Sequence, residues 1–462
     1  MTELPSCIQN GERARLFPVV ADTSRENRLT SIFLALLPQI PALAETLLET
    51  VGVRVTKRTK IETWTEVVPT GAENLDKRPD GLIVVHTAKG TWTALVEAKT
   101  KNNLLKEEQI TKYVEAAKNA GIDAVITISN QFVTSSDISP VHIPKLLLRK
   151  VGLYHWPWMS VQTRCELLMY QKQVEDTEQS FLLREFLRLL NHKDTGIETF
   201  TSMNKGWRDV VVAVGNQCKL KKTSPDVEES VQAWLQEERD MCLLLSRHVG
   251  HQCNISMERR HKADPVARLK DTVHKLVEDQ KLCCAFEIPD CAAELEITAD
   301  LTRRTITYGM RLKAPLDRKS TKARVNWVLK MLPEEHPKLY VRAHWPGRAV
   351  HTQEPIALLR QNPIALQTDN PETVPHSFEI LMIDDLAGDF SGTRKFLERL
   401  EQGVLAFYDL VGQNLRVWQA TPPKPVRASL PDTEELAQPH VQAVTIDNAD
   451  ATEGSTEHGL AN

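Results

Sequence analysis

"RPDGLIVVHTAKGTWTALVEAKT", residues 78–100, decides how this chain is read. Two runs rich in β-branched and apolar residues flank the short turn "AKG", which is the pattern of a β-hairpin. Side chains alternate along a strand. Leu95, Glu97 and Lys99 therefore share one face, while Val96 and Ala98 point into a packed layer. Asp80 begins the preceding strand. Folding at Ala88, Lys89 and Gly90 brings the start of one strand beside the end of the other. Asp80, Glu97 and Lys99 then meet at one end of the sheet.

That grouping suits metal-assisted phosphodiester hydrolysis. Asp80 and Glu97 are hard oxygen ligands for Mg²⁺ or Mn²⁺, and Mg²⁺ needs only one or two protein carboxylates. Such a metal activates a water and offsets charge on the scissile phosphate. Lys99 can orient the water or neutralise the charge that develops on the phosphorus centre. A surface hairpin with an i, i+2 ion pair presents the same three residues, so the neighbouring elements must decide between the two readings.

Downstream, "LKEEQITKYVEAAKNAG" reads as a helix with Gly121 as its C-cap. Gln109 and Tyr113 lie i, i+4 apart and so share a face, where they can bind phosphate oxygens or hold the metal ligands. "IDAVITISNQF" is a nearly continuous apolar strand of the kind buried on both faces. Upstream, "DTSRENRLTSIFLALLP" places Leu29, Ile32, Phe33, Leu36 and Leu37 on one helical stripe ended by Pro38. "VRVTKRTKIETWTEVVP" alternates as a strand. The order through residue 132 is α-β-β-β-α-β, and its last part needs a crossover helix, hence a mixed sheet.

"RPDG…VEAK…QITKY", set in that order, resembles the PD-(D/E)xK nuclease superfamily over residues 20–135. Within it, the pattern is similar to the branch with a Q-xxx-Y element shared by recombination and repair exonucleases. The resemblance implies an α/β, restriction-endonuclease-like core with a mixed central sheet. It implies metal binding by Asp80 and Glu97, catalysis assisted by Lys99, and Gln109 and Tyr113 as the Q-xxx-Y pair. Many members add an acid from the first helix. Glu26 is the candidate for that role here, with Glu45 and Glu49 as alternatives on the following segment, although Thr23 and Glu26 also have capping-box spacing. Glu62 and Glu66 on the first strand approach the site or not according to register. The implied activity is Mg²⁺-dependent hydrolysis of DNA, and bacterial defence or DNA repair follows only by analogy. An RNA nuclease, or a catalytically silent DNA-binding or regulatory protein on the same fold, are the alternatives.

The chain has 462 residues, 41% hydrophobic and 26% charged, which suits several globular units. A nuclease-like domain is expected over 1–155, a helical segment over 156–284, an α+β module over 285–420, and a disordered acidic tail over 421–462. The module is assigned substrate selection or a protein partner, and the sequence leaves a homo-oligomer open. After Arg427 there are seven acids and no Lys or Arg, so the rest of the chain is slightly basic despite a net charge of -4. No apolar run spans a bilayer; "LTSIFLALLPQIPALAETLL" reads as two short core helices. The absence of an apolar leader and of CxxC pairs points to reduced thiols in the cytoplasm.

Other groupings carry less. His248, His251, Cys253 and His261 lack the paired spacing of a zinc site, and Cys283, Cys284 and Cys291 do not supply it. Arg311, Lys313, Arg318, Lys319, Lys322, Arg324 and Lys330 form a basic stretch in which Lys322, Asn326 and Lys330 share one helical face, capped by Ser320. It can track a phosphate backbone or simply be solvated. Lys57, Arg58, Lys60, Lys101 and Lys106 are expected to add positive charge near the site. Trp156, Trp158, Trp345 and Trp418 read as core or interface residues. No GxxxxGK[ST] loop occurs, so no ATPase is indicated.

Overall fold

A computed structural model describes residues 4–17, 25–72, 75–101, 103–133, 136–137 and 139–419. Thr23 and the expected tail over 421–462 lie outside the described residues. The first half of the chain runs β1 (Ile8–Arg13), α1 (Arg25–Leu36), α2 (Pro41–Leu48), β2 (Lys60–Pro69), β3 (Gly81–Thr87), β4 (Gly90–Ala98), α3 (Glu107–Ala120), β5 (Ala124–Ser129), β6 (Gly152–Pro157), α4 (Trp158–Tyr170) and α5 (Thr177–Leu190).

These strands form a six-stranded sheet in the order β1-β2-β3-β4-β5-β6. β1 to β4 pair antiparallel with one another, and β5 is parallel to both β4 and β6. The sheet is therefore mixed, as the crossover through α3 requires. The two edge strands, β1 and β6, extend the expected order at either side. β2 is shorter than its sequence pattern. Residues 53–59 turn back instead, with the Thr59 and Thr56 backbones hydrogen-bonded at 2.9 Å.

Both faces of the sheet are covered. Phe33, Leu47 and Leu183 from α1, α2 and α5 pack on Ile83, Val96 and Ala98. Ile110, Tyr113 and Val114 from α3 pack on Leu82, Leu95 and Val125. β4 is thus buried on both sides, and Glu97 lies in the layer under α3. α1 and α2 are bent by 105° relative to each other, around Pro38, so the apolar stretch makes two core helices. Gly81 lets α1 sit directly on the start of β3. A Cβ there would lie 2.3 Å from Leu34 Cδ1 and 2.8 Å from the Trp64 carbonyl oxygen.

The second half continues with α6 (Trp207–Gly215), α7 (Pro225–Val249), β7 (Asn254–Ile255), α8 (Arg259–Ala263), α9 (Pro265–Asp279), β8 (Lys281–Glu287), β9 (Leu295–Asp300), β10 (Thr305–Lys313), α10 (Thr321–Leu329), β11 (Leu339–His344), β12 (Thr352–Pro355), α11 (Ile356–Gln361), β13 (Ser377–Asp385) and α12 (Thr393–Leu410). Its seven strands form an antiparallel sheet in the order β12-β11-β13-β10-β9-β8-β7. The helical stretch divides between the two cores: Trp158 and Phe186 pack with the first sheet, Trp207 and Trp234 with the second. α7 also packs against α4, which joins the two halves. Among the described residues, no single helix is long and apolar enough to cross a membrane.

Candidate active site

The register of the hairpin sets the site. Thr87 pairs with Gly90 across the turn, and Gly81 pairs with Val96 at the other end. Asp80, one residue before β3, therefore reaches the end of β4, where its Oδ2 accepts the Ala98 N–H at 2.8 Å. The chain then leaves β4 along β5, with the Lys99 N–H donating to the Ile128 carbonyl at 2.7 Å. The Trp158 indole N–H holds the Lys99 carbonyl at 3.0 Å.

Four charged side chains converge there. The Lys99 ammonium lies 2.6 Å from Glu97 Oε1 and 2.9 Å from Glu26 Oε1. Glu26 Oε2 accepts the Thr100 N–H at 2.9 Å, so the first helix is tied to the strand end by both oxygens. Gln109 donates through Nε2 to Glu97 Oε1 at 2.7 Å and to the Tyr113 hydroxyl at 2.8 Å. Tyr113 in turn donates to the Arg78 carbonyl at 3.2 Å and steadies the segment that carries Asp80. All six residues expected to act together are brought together.

Burial sets the electrostatics. Asp80 is pushed well above the usual carboxylate range, first by desolvation and then by the neighbouring Glu97 charge. Glu97 is raised by desolvation too, with Lys99 opposing the shift. Desolvation disfavours the Lys99 ammonium, yet Glu97 and Asp80 outweigh it and hold this pKa above its ordinary value. Lys99 is therefore a fixed cation and not a proton acceptor at neutral pH. Tyr113 is likewise raised, by burial and then by Glu97, and stays a neutral hydrogen-bonding group.

The donor set fits a hard divalent cation. Glu97 is 1% exposed, and its Oε2 has no hydrogen-bond partner among the described residues. An orphaned buried carboxylate oxygen is costly unless a cation or proton meets it. Asp80 stands beside it, close enough for the Glu97 charge to raise its pKa, and could supply a second oxygen. Glu26 lies on the other side of Lys99, with its two oxygens anchoring the Lys99 ammonium and the Thr100 N–H.

The remaining sequence candidates lie elsewhere. Glu45 and Glu49 are exposed on and just after α2, and no described hydrogen bond or ion pair joins them to the site. Glu62 pairs with Arg13 at 2.7 Å and Lys60 at 2.6 Å, on the part of β2 opposite Val84. Glu66 comes closer: its N–H donates to the Asp80 carbonyl at 3.3 Å, and its side chain accepts from Asn27 at 2.8 Å.

The expectation that Lys57, Arg58 and Lys60 lie near the site is corrected. Lys60 pairs with His86, at the far end of the hairpin from Asp80, and the other two precede it. Arg324, part of the basic stretch, is buried and donates to the Arg318 and Pro375 carbonyls at 2.7 and 2.6 Å, so it is not available to a phosphate backbone. Lys322 and Lys330 stay exposed, and Ser320 caps α10 through the Ala323 N–H. His248 pairs with Asp409 at 2.7 Å and His261 with Asp271 at 3.0 Å, so these histidines do not converge with Cys253.

Two supports escaped the sequence reading. Trp158 and the Thr100 N–H both fix the strand end, but one acts through an indole distant in sequence and the other through backbone. Neither leaves a local pattern. No family model matches this chain, and no curated protein or solved structure matches it.

Proposed function

We propose that this chain is a divalent-metal-dependent nuclease with a PD-(D/E)xK-type centre on a restriction-endonuclease-like core, cleaving phosphodiester bonds in DNA. The observation that carries this reading is Glu97. It is buried, held through one oxygen by Gln109 and Lys99, and left unpartnered at the other, beside Asp80.

Asp80 and Glu97 would hold Mg²⁺ or Mn²⁺, with Glu26 as the nearest further carboxylate. Such an ion lowers the pKa of water and neutralises charge on the scissile phosphate. Gln109 and Tyr113 fix the orientation of Glu97, so that its free oxygen keeps its direction as substrate enters. Lys99 carries a permanent charge at the mouth of the carboxylate pair, where it balances the extra negative charge that develops on the attacked phosphate. Glu26 keeps that ammonium at the strand end. Glu62 and the basic group at residues 57–60 are too far along the hairpin to take part.

DNA is preferred over RNA on the family resemblance. The test is incubation of the full chain with supercoiled plasmid, single-stranded DNA, single-stranded RNA and tRNA, in Mg²⁺ or Mn²⁺ and in EDTA. Metal-dependent cleavage of DNA by the wild type, lost in Lys99→Ala while DNA binding persists, is the expected result. Cleavage of the RNA substrates alone reassigns the substrate. Intact nucleic acids under every condition, with DNA still bound, would mean a silent binding protein.

A further inference from the structure

We propose that Glu237, Asp240 and Glu401 form a second metal site, one that binds Ca²⁺ and locks α7 to α12. It is separate from the Asp80–Glu97 centre and does not depend on the nuclease reading. Glu237 and Asp240 are three residues apart and so project from one face of α7. Glu401 comes from α12. One oxygen from each lies within 4.8 Å of the others, close enough for one ion to bridge all three.

The second observation is the state of these oxygens. Glu237 is 0% exposed, and neither of its carboxylate oxygens has a hydrogen-bond partner among the described residues. Asp240 is also buried. Its Oδ2 accepts the Phe200 N–H at 2.8 Å, while Oδ1 has no partner. Unpaired carboxylates in the interior need protons or a cation. Arg247 is nearby, but it faces Glu166 at 3.9 Å and is one positive charge against three acids. Desolvation pushes Glu237 well above the usual range, and lifts Asp240 to about 6 and Glu401 to about 7.

The ligand chemistry selects the ion. Three carboxylates are hard donors, and with Asp240 Oδ2 held by the Phe200 N–H they leave up to five oxygens, which approaches the six to eight that Ca²⁺ takes once water adds to them. Mg²⁺ gives up its waters reluctantly and avoids a dry, all-protein cage. The position is structural: Phe200 packs on Phe132, and the same segment meets the catalytic strand end where the Lys101 N–H donates to the Gly196 carbonyl at 2.8 Å.

The test uses the full chain carrying Asp80→Asn and Glu97→Gln, so that the first centre is silent. Bound Ca²⁺ is measured by equilibrium dialysis in excess Mg²⁺, and Tm by calorimetry with Ca²⁺ or EDTA. The parent should retain about one Ca²⁺ per chain and melt higher with it. Adding Glu237→Gln should abolish both, yet raise Tm in EDTA, because a buried unpaired carboxylate has been neutralised. Glu401→Gln, at a half-exposed position, should show the same loss of Ca²⁺ if the first variant does not fold. A parent that binds no Ca²⁺, or Ca²⁺ binding that survives either substitution, overturns the proposal in favour of protonated acids.

Discussion

Lys99 and Glu26 meet at 2.9 Å although helix α1 and the end of β4 are far apart in sequence. The same ammonium touches Glu97 at 2.6 Å, so one cation joins the first helix to the strand that carries the acid. The three side chains are 15%, 20% and 2% exposed, which places the contact between a surface pair and a buried one. Removing the cation leaves the carboxylates facing one another.

Lys99→Met keeps the aliphatic length and deletes the charge. Hydrolysis should fall below detection. Urea unfolding at pH 8 in EDTA should show a loss of up to about 3 kcal/mol, since breaking a buried ion pair strands its partner. Repeated at pH 5, the loss should be smaller, because desolvation raises the Glu97 pKa and falling pH brings that carboxyl nearer to protonation. An equal loss at both pH values would show that packing, not charge, is what Lys99 supplies.

Asp80 gives a pH dependence of defined sign. Its folded pKa is raised above the unfolded value of roughly 3.9, chiefly by desolvation. The stability linked to it is therefore complete below that value and is lost as pH rises through the folded pKa. In EDTA, Asp80→Asn should melt near the wild type at pH 4 and increasingly above it toward pH 8. Added Mn²⁺ should stabilise the wild type at pH 8 and leave the variant's first site without response. A Tm difference that does not change with pH contradicts the assigned environment.

In the proposed nuclease, Gln109 and Tyr113 would act through Glu97 as positioning residues. Gln109→Ala should lower the single-turnover cleavage rate by about 10–100-fold, with DNA affinity unchanged, as expected when the support of a metal ligand is removed. Tyr113→Phe should cost less, because Gln109 still reaches Glu97. Raising Mn²⁺ should restore part of the rate in both. Loss of DNA affinity with an unchanged rate would instead make this pair a substrate contact.

Gly81→Ala tests how the helix is seated. The new methyl group would meet Leu34 Cδ1 at 2.3 Å, which can move, and the Trp64 carbonyl oxygen at 2.8 Å, which cannot. Overpacking of this kind costs about 1–3 kcal/mol, and the shift falls next to Asp80. Calorimetry should show a lower Tm, and cleavage should fall with it. A variant as stable as the wild type would mean that α1 is not tightly seated on β3.

Much of this was legible locally. The turn at residues 88–90 fixes the register, and the register places Asp80 opposite Glu97, two residues before Lys99. Spacing of i, i+4 put Gln109 and Tyr113 on one face, and Gln109 donates to both Glu97 and the Tyr113 hydroxyl. What the sequence left open depends on long-range packing. Glu26 is the candidate from the first helix, with Glu45 and Glu49 as alternatives, and the seating of α1 is what brings Glu26 to Lys99. The edge strand β1, "IQNGER", carries one buried apolar residue at Ile8 and so lacks strand alternation. α9 did carry an N-terminal signal, Asp264 before Pro265, with the Asp264 side chain accepting the Ala267 N–H at 3.0 Å. The partnership of Glu237 and Asp240 with Glu401 joins helices far apart in the chain and has no local trace.

The most direct test of the proposed centre is an anomalous diffraction map from crystals of the full chain soaked in Mn²⁺. A peak within coordination distance, about 2.0–2.3 Å, of both Asp80 and Glu97 Oε2, absent from an Asp80→Asn crystal, is the predicted result. Mn²⁺ that binds only away from these two carboxylates, or a peak that survives Asp80→Asn unchanged, contradicts the account.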